Sequence, residues 1–413
     1  MGNLNCYSTS LRSFLILLLS SQLACGKQNA VQDSSQPDQQ QAEKWVTDEQ
    51  MPILSWKSID LVNSSVKNYQ ELRDCGYTHS LATIWDSEDP LTTYNANLLE
   101  LALNCAEKTG VKVIAGCHEL HTDTENTVSR FKDHPAIVGW FLKDEPKMHE
   151  IAGLGELGHK IKGLDDKNFV YVNLRPSDAT YEQMGTDNYT EYLNAYLQNI
   201  PVEFLSFDKY PCQIDNQGKN YVLDYWYDNL QIFADASKRV NKPFWAFACC
   251  TKFESAQATP TLETLRLQMY TNLAYGAQGL QYYVYPGPSN PLYQAVKQLN
   301  KEIQNFAKVF LNANLVSVTH TGSRIPFNTK RFDKPPAVFK KFLTGDAGAV
   351  VSLFEKGSRK FLVVVSRDIN EVLPVTIQVD PSVKKVTKDG TLEPVVGTVI
   401  EQVPPGDILV YTW

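Results

Sequence analysis

The sequence predicts an α/β fold: a (β/α)8 TIM barrel followed by a small C-terminal antiparallel β-sandwich. Between residues 52 and 286, short apolar runs alternate with amphipathic helical stretches, and the eight runs match the strands of a (β/α)8 barrel. From about Val316 the helical pattern gives way to alternating residues separated by turn sequences, which is typical of a sandwich. A doubly wound open sheet is the alternative, but no glycine-rich phosphate loop follows the first apolar run.

The first 45 residues have the pattern of an exported protein. Residues 14–20 form an apolar stretch that is too short to span a membrane, which predicts a signal peptide over residues 1–24. The sequence around Cys25 resembles a bacterial lipobox, with Gln22 where leucine is usual, and the resemblance implies a lipidated cysteine. Residues 25–45 are polar and predict a flexible tether. We expect a lipid-anchored protein of the bacterial cell envelope, on its periplasmic or outer surface, with ordinary secretion as the alternative.

Residues 46–315 contain the predicted barrel. Its eight strands are expected at 52–56, 80–85, 111–117, 136–143, 169–174, 203–207, 243–248 and 279–285. Its helices include stretches at 98–108, 151–164, 192–199, 225–240 and 262–275. Glycines such as Gly110 and Gly276 stand where these helices should end before the next strand begins.

Residues 316–413 contain the predicted sandwich. Its strands are expected at 349–354, 361–366, 375–379, 395–403 and 408–413. For the whole chain, 43% hydrophobic residues suffice for a large core, and the net charge of -7 with no basic stripe argues against a nucleic-acid partner. The sequence does not indicate an oligomeric state.

The cysteines of the sequence give little indication of a metal site or of disulfide bonds. None of the eight cysteines forms a Cys-x-x-Cys pair, so we expect no zinc site. The sequence shows no signal for another metal or for a cofactor, and we expect neither. Cys75 and Cys105 are the one candidate disulfide pair of an exported protein, and buried free thiols are the alternative.

The most informative stretch is residues 134–146, where an apolar run ends in Asp144, Glu145 and Pro146. A proline cannot donate to the strand ladder, so the strand should stop where the acids emerge. In a parallel barrel the carboxyl ends of the strands form the rim at which chemistry occurs. A surface turn with two solvated acids is the structural alternative.

Polar and aromatic side chains follow the other predicted strands in the same way. Carboxylates and aromatic faces in one cup suit a carbohydrate, since sugar rings stack on aromatic rings and hydroxyls need polar partners. Helix caps, salt bridges and core packing are the structural alternatives for each residue. The candidate catalytic residues are Glu145, Glu254 and Asp208. The candidate substrate-binding residues are Trp56, Trp85, Asp86, Glu119, Asp144, Asn173, Tyr210 and Tyr285.

The stretch at 135–146 resembles the acid-bearing strand of clan A glycoside hydrolases, especially relatives of the family 42 β-galactosidase type. Residues 204–211 and 265–285 are similar to later strands of those barrels. The resemblance implies that Glu145 is the general acid, with Asp144 where asparagine is usual. It also implies a nucleophilic glutamate at the end of the seventh strand, where this sequence has Cys249 and Cys250 instead and Glu254 a few residues later.

These observations predict a glycoside hydrolase that cleaves O-glycosidic bonds with Glu145 as acid/base. If Glu254 is its partner, the carboxyls should lie about 5 Å apart and the reaction should retain configuration. If Asp208 activates water, the separation should be about 6.5–9.5 Å and the product inverted. The alternatives are a non-catalytic glycan-binding lipoprotein, or a barrel enzyme of another chemistry such as a lyase or metal-dependent hydrolase. The rim offers only His118 as a histidine ligand for a metal.

Overall fold

The structure is a computed structural model that describes residues 49–82 and 96–413. The predicted signal peptide, the tether, Cys25, Trp85 and Asp86 lie outside these residues. Within them, no helix combines the length and apolar character needed to cross a bilayer.

Eight parallel strands form a closed barrel. The barrel strands are β1 (Ile53–Ser55), β2 (His79–Ala82), β3 (Lys112–Ala115), β4 (Ile137–Asp144), β5 (Phe169–Asn173), β6 (Leu205–Phe207), β9 (Phe244–Cys249) and β10 (Gly279–Tyr283). Their order around the barrel is β5-β4-β3-β2-β1-β10-β9-β6. A parallel bridge between Leu174 and Phe207 joins β5 to β6 and closes the ring. A short hairpin of β7 (Cys212–Ile214) and β8 (Asn220–Val222) leaves the barrel after β6.

Helices surround the barrel and connect its strands. They are α1 (Val66–Asp74), α2 (Ala96–Glu107), α3 (His118–Thr122), α4 (Thr124–Phe131), α5 (Ile151–Leu164), α6 (Tyr181–Met184), α7 (Tyr189–Asn199), α8 (Tyr225–Val240), α9 (Leu262–Ala274) and α10 (Tyr293–Phe310). Side-chain oxygens of Ser65, Asn188 and Thr261 accept hydrogen bonds from backbone N–H groups in the first turns of α1, α7 and α9. These caps satisfy donors that a helix start leaves unpaired, so they determine where those helices begin.

The C-terminal part is a sandwich of two antiparallel sheets. Its strands are β11 (Asn314–His320), β12 (Phe339–Thr344), β13 (Ala349–Lys356), β14 (Arg359–Ser366), β15 (Leu373–Val379), β16 (Lys384–Val386), β17 (Leu392–Pro394), β18 (Thr398–Val403) and β19 (Ile408–Thr412). One sheet has the order β11-β13-β14-β19-β16-β17 and the other β12-β15-β18. Alternate residues such as Val351, Leu362 and Ile377 point between the sheets and form a core of their own. The structure therefore confirms the predicted barrel and sandwich.

The sandwich packs directly on barrel helices α9 and α10. Apolar residues of β13 and β14 belong to the same buried cluster as the barrel helices. Next to this contact lies an interdomain ion cluster of Arg266, Tyr270 and Glu302 from the barrel with Lys388 and Asp407 from the sandwich. Because the core is shared, the sandwich braces the barrel.

Aromatic rings fill the end of the barrel where the strands begin. Phe169, Phe204 and Trp245 pack on one another, with the last two rings stacked at 4.2 Å between centroids. We call these three residues the aromatic plug. Glycines on adjacent strands make room for it: a Cβ at Gly139 would lie 2.2 Å from the Phe169 ring, and one at Gly279 would lie 2.3 Å from the Trp245 ring. The plug closes this end of the barrel.

The six cysteines in the described residues are buried and unbridged. The thiol of Cys75 is directed at the carbonyl of Tyr293, at 3.6 Å. The structure therefore contains no bridge between Cys75 and Cys105, and both behave as small apolar residues.

Candidate active site

Three carboxylates meet at the carboxyl ends of neighbouring strands. Asp144 is the last residue of β4, Glu145 follows it, and Asp208 comes directly after β6. Asn173 ends β5, which lies between those two strands. Parallel strands bring their carboxyl ends to the same edge, so side chains that are distant in sequence become neighbours here.

The amide of Asn173 holds two of these acids. Its Nδ2 donates to Oδ1 of Asp144 at 3.1 Å and to Oδ1 of Asp208 at 2.8 Å. Its Oδ1 accepts from the Ser206 hydroxyl at 2.8 Å, which fixes the direction of the amide. Gln281 in turn donates to Ser206 at 2.9 Å. Since every member has a partner, this buried network gives the acids a defined geometry.

Glu145 has an unusual backbone conformation. Its φ of 46° lies in the left-handed region, and the other non-glycine residues with positive φ among the described residues are asparagines. Its N–H still donates to the Asn173 carbonyl at 2.8 Å, so the turn begins directly at the end of the strand ladder. Left-handed residues other than glycine and asparagine are uncommon and concentrate at functional sites.

The acids perturb one another's protonation. Burial, the Asp208 charge and a hydrogen bond to Asp208 raise the pKa of Glu145 to about 7, against the opposing effect of Arg175. Arg175 Nη1 lies 2.7 Å from Glu145 Oε2. Burial raises the pKa of Asp208 as well, although hydrogen bonds from Asn173, Tyr210 and Glu145 oppose the rise. Both carboxyls therefore hold a proton to higher pH than a free carboxyl does.

Asp144 is the third acid of the group. Burial and the charges of Asp208 and Glu145 raise its pKa well above the ordinary value, whereas Asn173 and Arg175 lower it. A single arginine next to three carboxyls cannot balance three negative charges, so part of the group stays protonated near neutral pH.

A cleft of about 570 Å³ opens above the acids. Glu145, Arg175 and Asp208 lie at its base, and loops after β6 and β9 contribute Lys209, Tyr210, Phe253 and Glu254 to its walls. The ring of Phe253 is 48% exposed and lies 5.6 Å from Tyr210 and 5.4 Å from Tyr283, measured between ring centroids. An aromatic wall beside carboxylates can bind a sugar ring.

The structure brings some of the predicted residues together and separates others. Asp144, Glu145, Asn173, Asp208 and Tyr210 form one group, and Glu254 lies exposed on the cleft wall. The structure does not describe Trp85 and Asp86.

Three predicted binding residues lie elsewhere. Trp56 is only 3% exposed, with its ring against Phe141, Tyr171 and Phe247 inside the barrel, so it offers no face to a sugar. Glu119 accepts a hydrogen bond from the N–H of Ala96 at the start of α2. Tyr285 packs against Tyr77 and Tyr293. In this structure Trp56 and Tyr285 pack against other aromatic rings, and Glu119 caps the start of α2.

Three residues of the site were not among the candidate site residues: Arg175, Phe253 and Tyr283. Arg175 lies two residues after the end of β5 and Tyr283 ends β10, so the strand-end rule places both at the rim without assigning them a role. Phe253 lies on a loop, and no local pattern in the sequence indicates that its ring reaches the cleft.

A second cavity of about 880 Å³, larger than the cleft, lies at the opposite end of the barrel. The starts of β9 and β10, the aromatic plug and β11 line it. The one glutamate that lines this cavity, Glu203, forms a salt bridge with Lys162 and accepts a hydrogen bond from the N–H of Val170. The coupled carboxylates identify the smaller cleft as the candidate active site. No group of three or more His, Cys, Asp or Glu residues with the arrangement of a metal site occurs among the residues the structure covers.

Several of the solved structures that this chain resembles are glycoside hydrolases. A family 5 glycoside hydrolase from Bacteroides vulgatus has a TM-score of 0.51 at 12% identity, covering 88% of both chains. A family 39 glycoside hydrolase from Bacteroides cellulosilyticus has a TM-score of 0.52 at 10% identity, covering 89% of this chain and 82% of its own. A β-galactosidase from Marinomonas has a TM-score of 0.44 at 12% identity, and this chain spans 61% of its length.

No protein-family model and no curated protein sequence matches the chain. At 10% and 12% identity, the likeness to the family 5 and family 39 enzymes shows a shared fold and leaves the reaction to be inferred from the site.

Proposed function

We propose that this protein is a glycoside hydrolase in which Glu145 is the general acid. The observation that carries the proposal is the position of Glu145 at a barrel strand end, with its pKa raised to about 7 beside Asp208. A glycosidic oxygen needs a proton as its bond to the sugar breaks, and a carboxyl that stays protonated near neutral pH can supply it. The glycoside hydrolases that share the fold add support.

The neighbouring residues would prepare Glu145 for this role. The Asp208 charge helps to keep Glu145 protonated, and Asn173 holds Asp208 in position through a hydrogen bond of 2.8 Å. Arg175 limits the rise in the pKa of Glu145, so that the acid can lose its proton during the reaction. Phe253 and Tyr210 would bind the apolar face of a sugar next to the acids.

A panel of 4-nitrophenyl glycosides and of plant and host oligosaccharides tests the proposal. We expect release of a sugar product that grows with time and enzyme concentration. If no member of the panel is cleaved while glycans still bind, the proposal is wrong and a binding function replaces it.

The pH dependence of kcat/KM is a second expected result. A general acid works only in its protonated form, so kcat/KM should fall as pH rises through about 7, the pKa of Glu145. The measurement is a pH series with a substrate at low concentration, since kcat/KM reports ionisations of the free enzyme. A rate that stays constant from pH 6 to 9 would contradict the role of Glu145.

The wall of the cleft gives a third prediction. Phe253→Ala should raise KM by about 2- to 10-fold with a smaller effect on kcat, since an aromatic contact contributes roughly 0.5–1.5 kcal/mol. Phe253 is half exposed, so the fold should not suffer. Phe327→Ala is the matched control, because Phe327 is 62% exposed and lies outside the cleft. Equal kinetic effects of the two variants would remove Phe253 from the substrate site.

A non-catalytic glycan-binding protein is the second candidate. The end of β9, the seventh barrel strand, favours it, because Cys249 and Cys250 are buried there where a catalytic carboxylate would be needed. This candidate predicts saturable glycan binding that Glu145→Gln leaves intact, with no product from any glycan.

The cellular location and the closer family belong to the same proposal. Lipidation of Cys25 would anchor the enzyme in the bacterial cell envelope, near oligosaccharides that enter from outside. The resemblance of residues 135–146 to the family 42 β-galactosidase type supports the closer family, and an oligosaccharide of plant or host origin is the proposed substrate.

A further inference from the structure

A chain of buried side chains leads from the barrel interior to the candidate acids. The Tyr171 hydroxyl donates to Gln281 Oε1 at 2.5 Å, and Gln281 Nε2 donates to Ser206 Oγ at 2.9 Å. Ser206 donates to Asn173 Oδ1 at 2.8 Å, and Asn173 Nδ2 donates to the two acids. Each of these four residues is at most 1% exposed. The chain is therefore closed to bulk water, and the protein itself supplies its hydrogen-bond partners.

Each hydrogen bond in this chain has one direction that the chemistry allows. An ionised carboxylate only accepts, so the Asn173 amide must present its N–H groups to the acids. Its oxygen then faces Ser206, whose single proton must go to that oxygen. Ser206 can then only accept from Gln281, and the oxygen of Gln281 is left to accept from Tyr171. The direction of the whole chain thus follows from the charge at its end.

Aromatic packing holds the start of the chain in place. The Tyr171 ring stacks on Phe204 of the aromatic plug, at 5.4 Å between centroids, and contacts Trp56 edge-on at 5.5 Å. Its hydroxyl also lies 3.1 Å from Ser206 Oγ. Because Tyr171 is buried, the chain cannot exchange protons with solvent at this end. It is suited to holding the Asn173 amide rather than to carrying protons.

We infer that the three residues behind Asn173 are positioning residues, which keep both N–H bonds of its amide directed at the acids. They are Tyr171, Gln281 and Ser206. A single nitrogen lies 3.1 Å from Oδ1 of Asp144 and 2.8 Å from Oδ1 of Asp208. If the amide turned over, its oxygen would face two groups that accept and do not donate. The inference adds residues to the proposed site, and its effect on rate rests on the proposed function.

The orientation of this amide affects the protonation of the acids. Burial raises the pKa of Asp144 and that of Asp208, and the hydrogen bonds from Asn173 oppose the rise. An amide that is free to turn opposes the rise less, so loosening it should raise both pKa values. The variants of the chain leave unchanged the other titratable groups that face these acids: Glu145, Arg175, Tyr189, Tyr210, Cys249 and Tyr283.

Two variants test the chain at different points. Tyr171→Phe removes the first hydroxyl and keeps the ring, and Ser206→Ala removes the donor to Asn173. The pKa of Asp208 is measured by carbon NMR of protein labelled at the aspartate carboxyl carbons, with the Asp208→Asn spectrum identifying its signal. We expect Ser206→Ala to raise this pKa by about one unit, since hydrogen bonds to a charged group are weakened. Tyr171→Phe should raise it by a smaller amount.

Two matched control variants remove the same groups elsewhere. The Tyr282 hydroxyl donates to Asn300 Oδ1 on α10 at 2.9 Å, and Tyr282 is as buried as Tyr171. Ser352 on β13 donates to the Ala274 carbonyl at 2.7 Å. Tyr282→Phe and Ser352→Ala should each lose one buried hydrogen bond and leave the pKa of Asp208 unchanged.

The rate gives a second readout on a glycoside that the wild-type protein cleaves. Tyr171→Phe should lower kcat/KM by about 2- to 10-fold, the usual effect of one lost hydrogen bond. It should also move the acidic limb of the pH profile to higher pH, because kcat/KM reports ionisations of the free enzyme. Tyr282→Phe should not move this limb, even where it lowers the melting temperature.

The outcomes separate this inference from the proposed function. A pKa of Asp208 that is the same in Tyr171→Phe, Ser206→Ala and wild type overturns the inference and leaves the glycoside hydrolase proposal standing. An equal rise in the two control variants also overturns it. A rise confined to Tyr171→Phe and Ser206→Ala establishes the positioning role, including in a protein that cleaves no glycoside. If Ser206→Ala does not fold, Tyr171→Phe against Tyr282→Phe decides alone.

Discussion

Replacing Glu145 with glutamine is expected to lower kcat/KM for an unactivated disaccharide by about 10²- to 10⁴-fold, the usual contribution of a general acid. Glutamine keeps the size of the side chain but has no proton to give at this position. The loss should be much smaller for a 4-nitrophenyl glycoside, because nitrophenolate leaves without protonation. The measurement is kcat/KM of wild type and variant on both substrates, with the disaccharide chosen from those that the wild-type protein cleaves.

Two controls make the result specific. Glu156→Gln changes an exposed glutamate on α5 and should leave both rates unchanged.

The stability of the Glu145→Gln variant is the other control. The folded protein raises the pKa of Glu145, so this carboxyl favours folding below its unfolded-state pKa and loses that contribution as pH rises through about 7. The glutamine variant should therefore melt no lower than wild type at pH 8. Equal losses on both substrates would contradict the role of Glu145 as proton donor to the leaving group.

The largest expected effect on stability lies in the interdomain ion cluster. Glu302→Ala should destabilise the protein by about 3–5 kcal/mol, because removing one partner leaves a buried charge uncompensated. The Glu302 side chain is 9% exposed; Arg266 donates to it at 3.0 Å and Tyr270 at 2.5 Å. Burial would raise the pKa of Glu302, but Tyr270, Lys388 and Arg266 lower it overall, so the group is charged at neutral pH. Urea unfolding followed by tryptophan fluorescence measures the change.

An exposed ion pair gives the matched control. Glu100 and Arg130 are 2.7 Å apart, yet both side chains are about half exposed. Glu100→Ala should cost no more than about 1 kcal/mol, since solvent screens the pair. If Glu302→Ala and Glu100→Ala lower the free energy of unfolding by the same amount, burial does not explain how much the interdomain ion cluster stabilises the protein.

The architecture could be predicted because its signals are periodic and local. The run from Ile137 to Asp144 is apolar, ends in acids and meets a proline, and the structure has a strand over those residues. The predicted helices at 151–164 and 225–240 have the observed bounds. β11 and β12 were not predicted, because most of their side chains are exposed or half-buried and give no clear apolar alternation.

For the candidate site, the sequence predicts which residues follow the barrel strands but not which of their side chains come together. The rule that functional groups follow parallel strands identifies Asp144, Asn173 and Asp208, but not the direction of each side chain. Trp56 follows β1, and its ring turns into the barrel interior among three other rings. The direction of the Glu145 side chain follows from its left-handed backbone, and no residue type in the sequence indicates that conformation.

The aromatic plug limits the routes by which a ligand can reach the site. Phe169, Phe204 and Trp245 fill the far end of the barrel, so no molecule can pass through the barrel interior between that end and the cleft. A substrate can therefore approach Glu145 only from the rim at the carboxyl ends of the strands, and its products must leave on that same side.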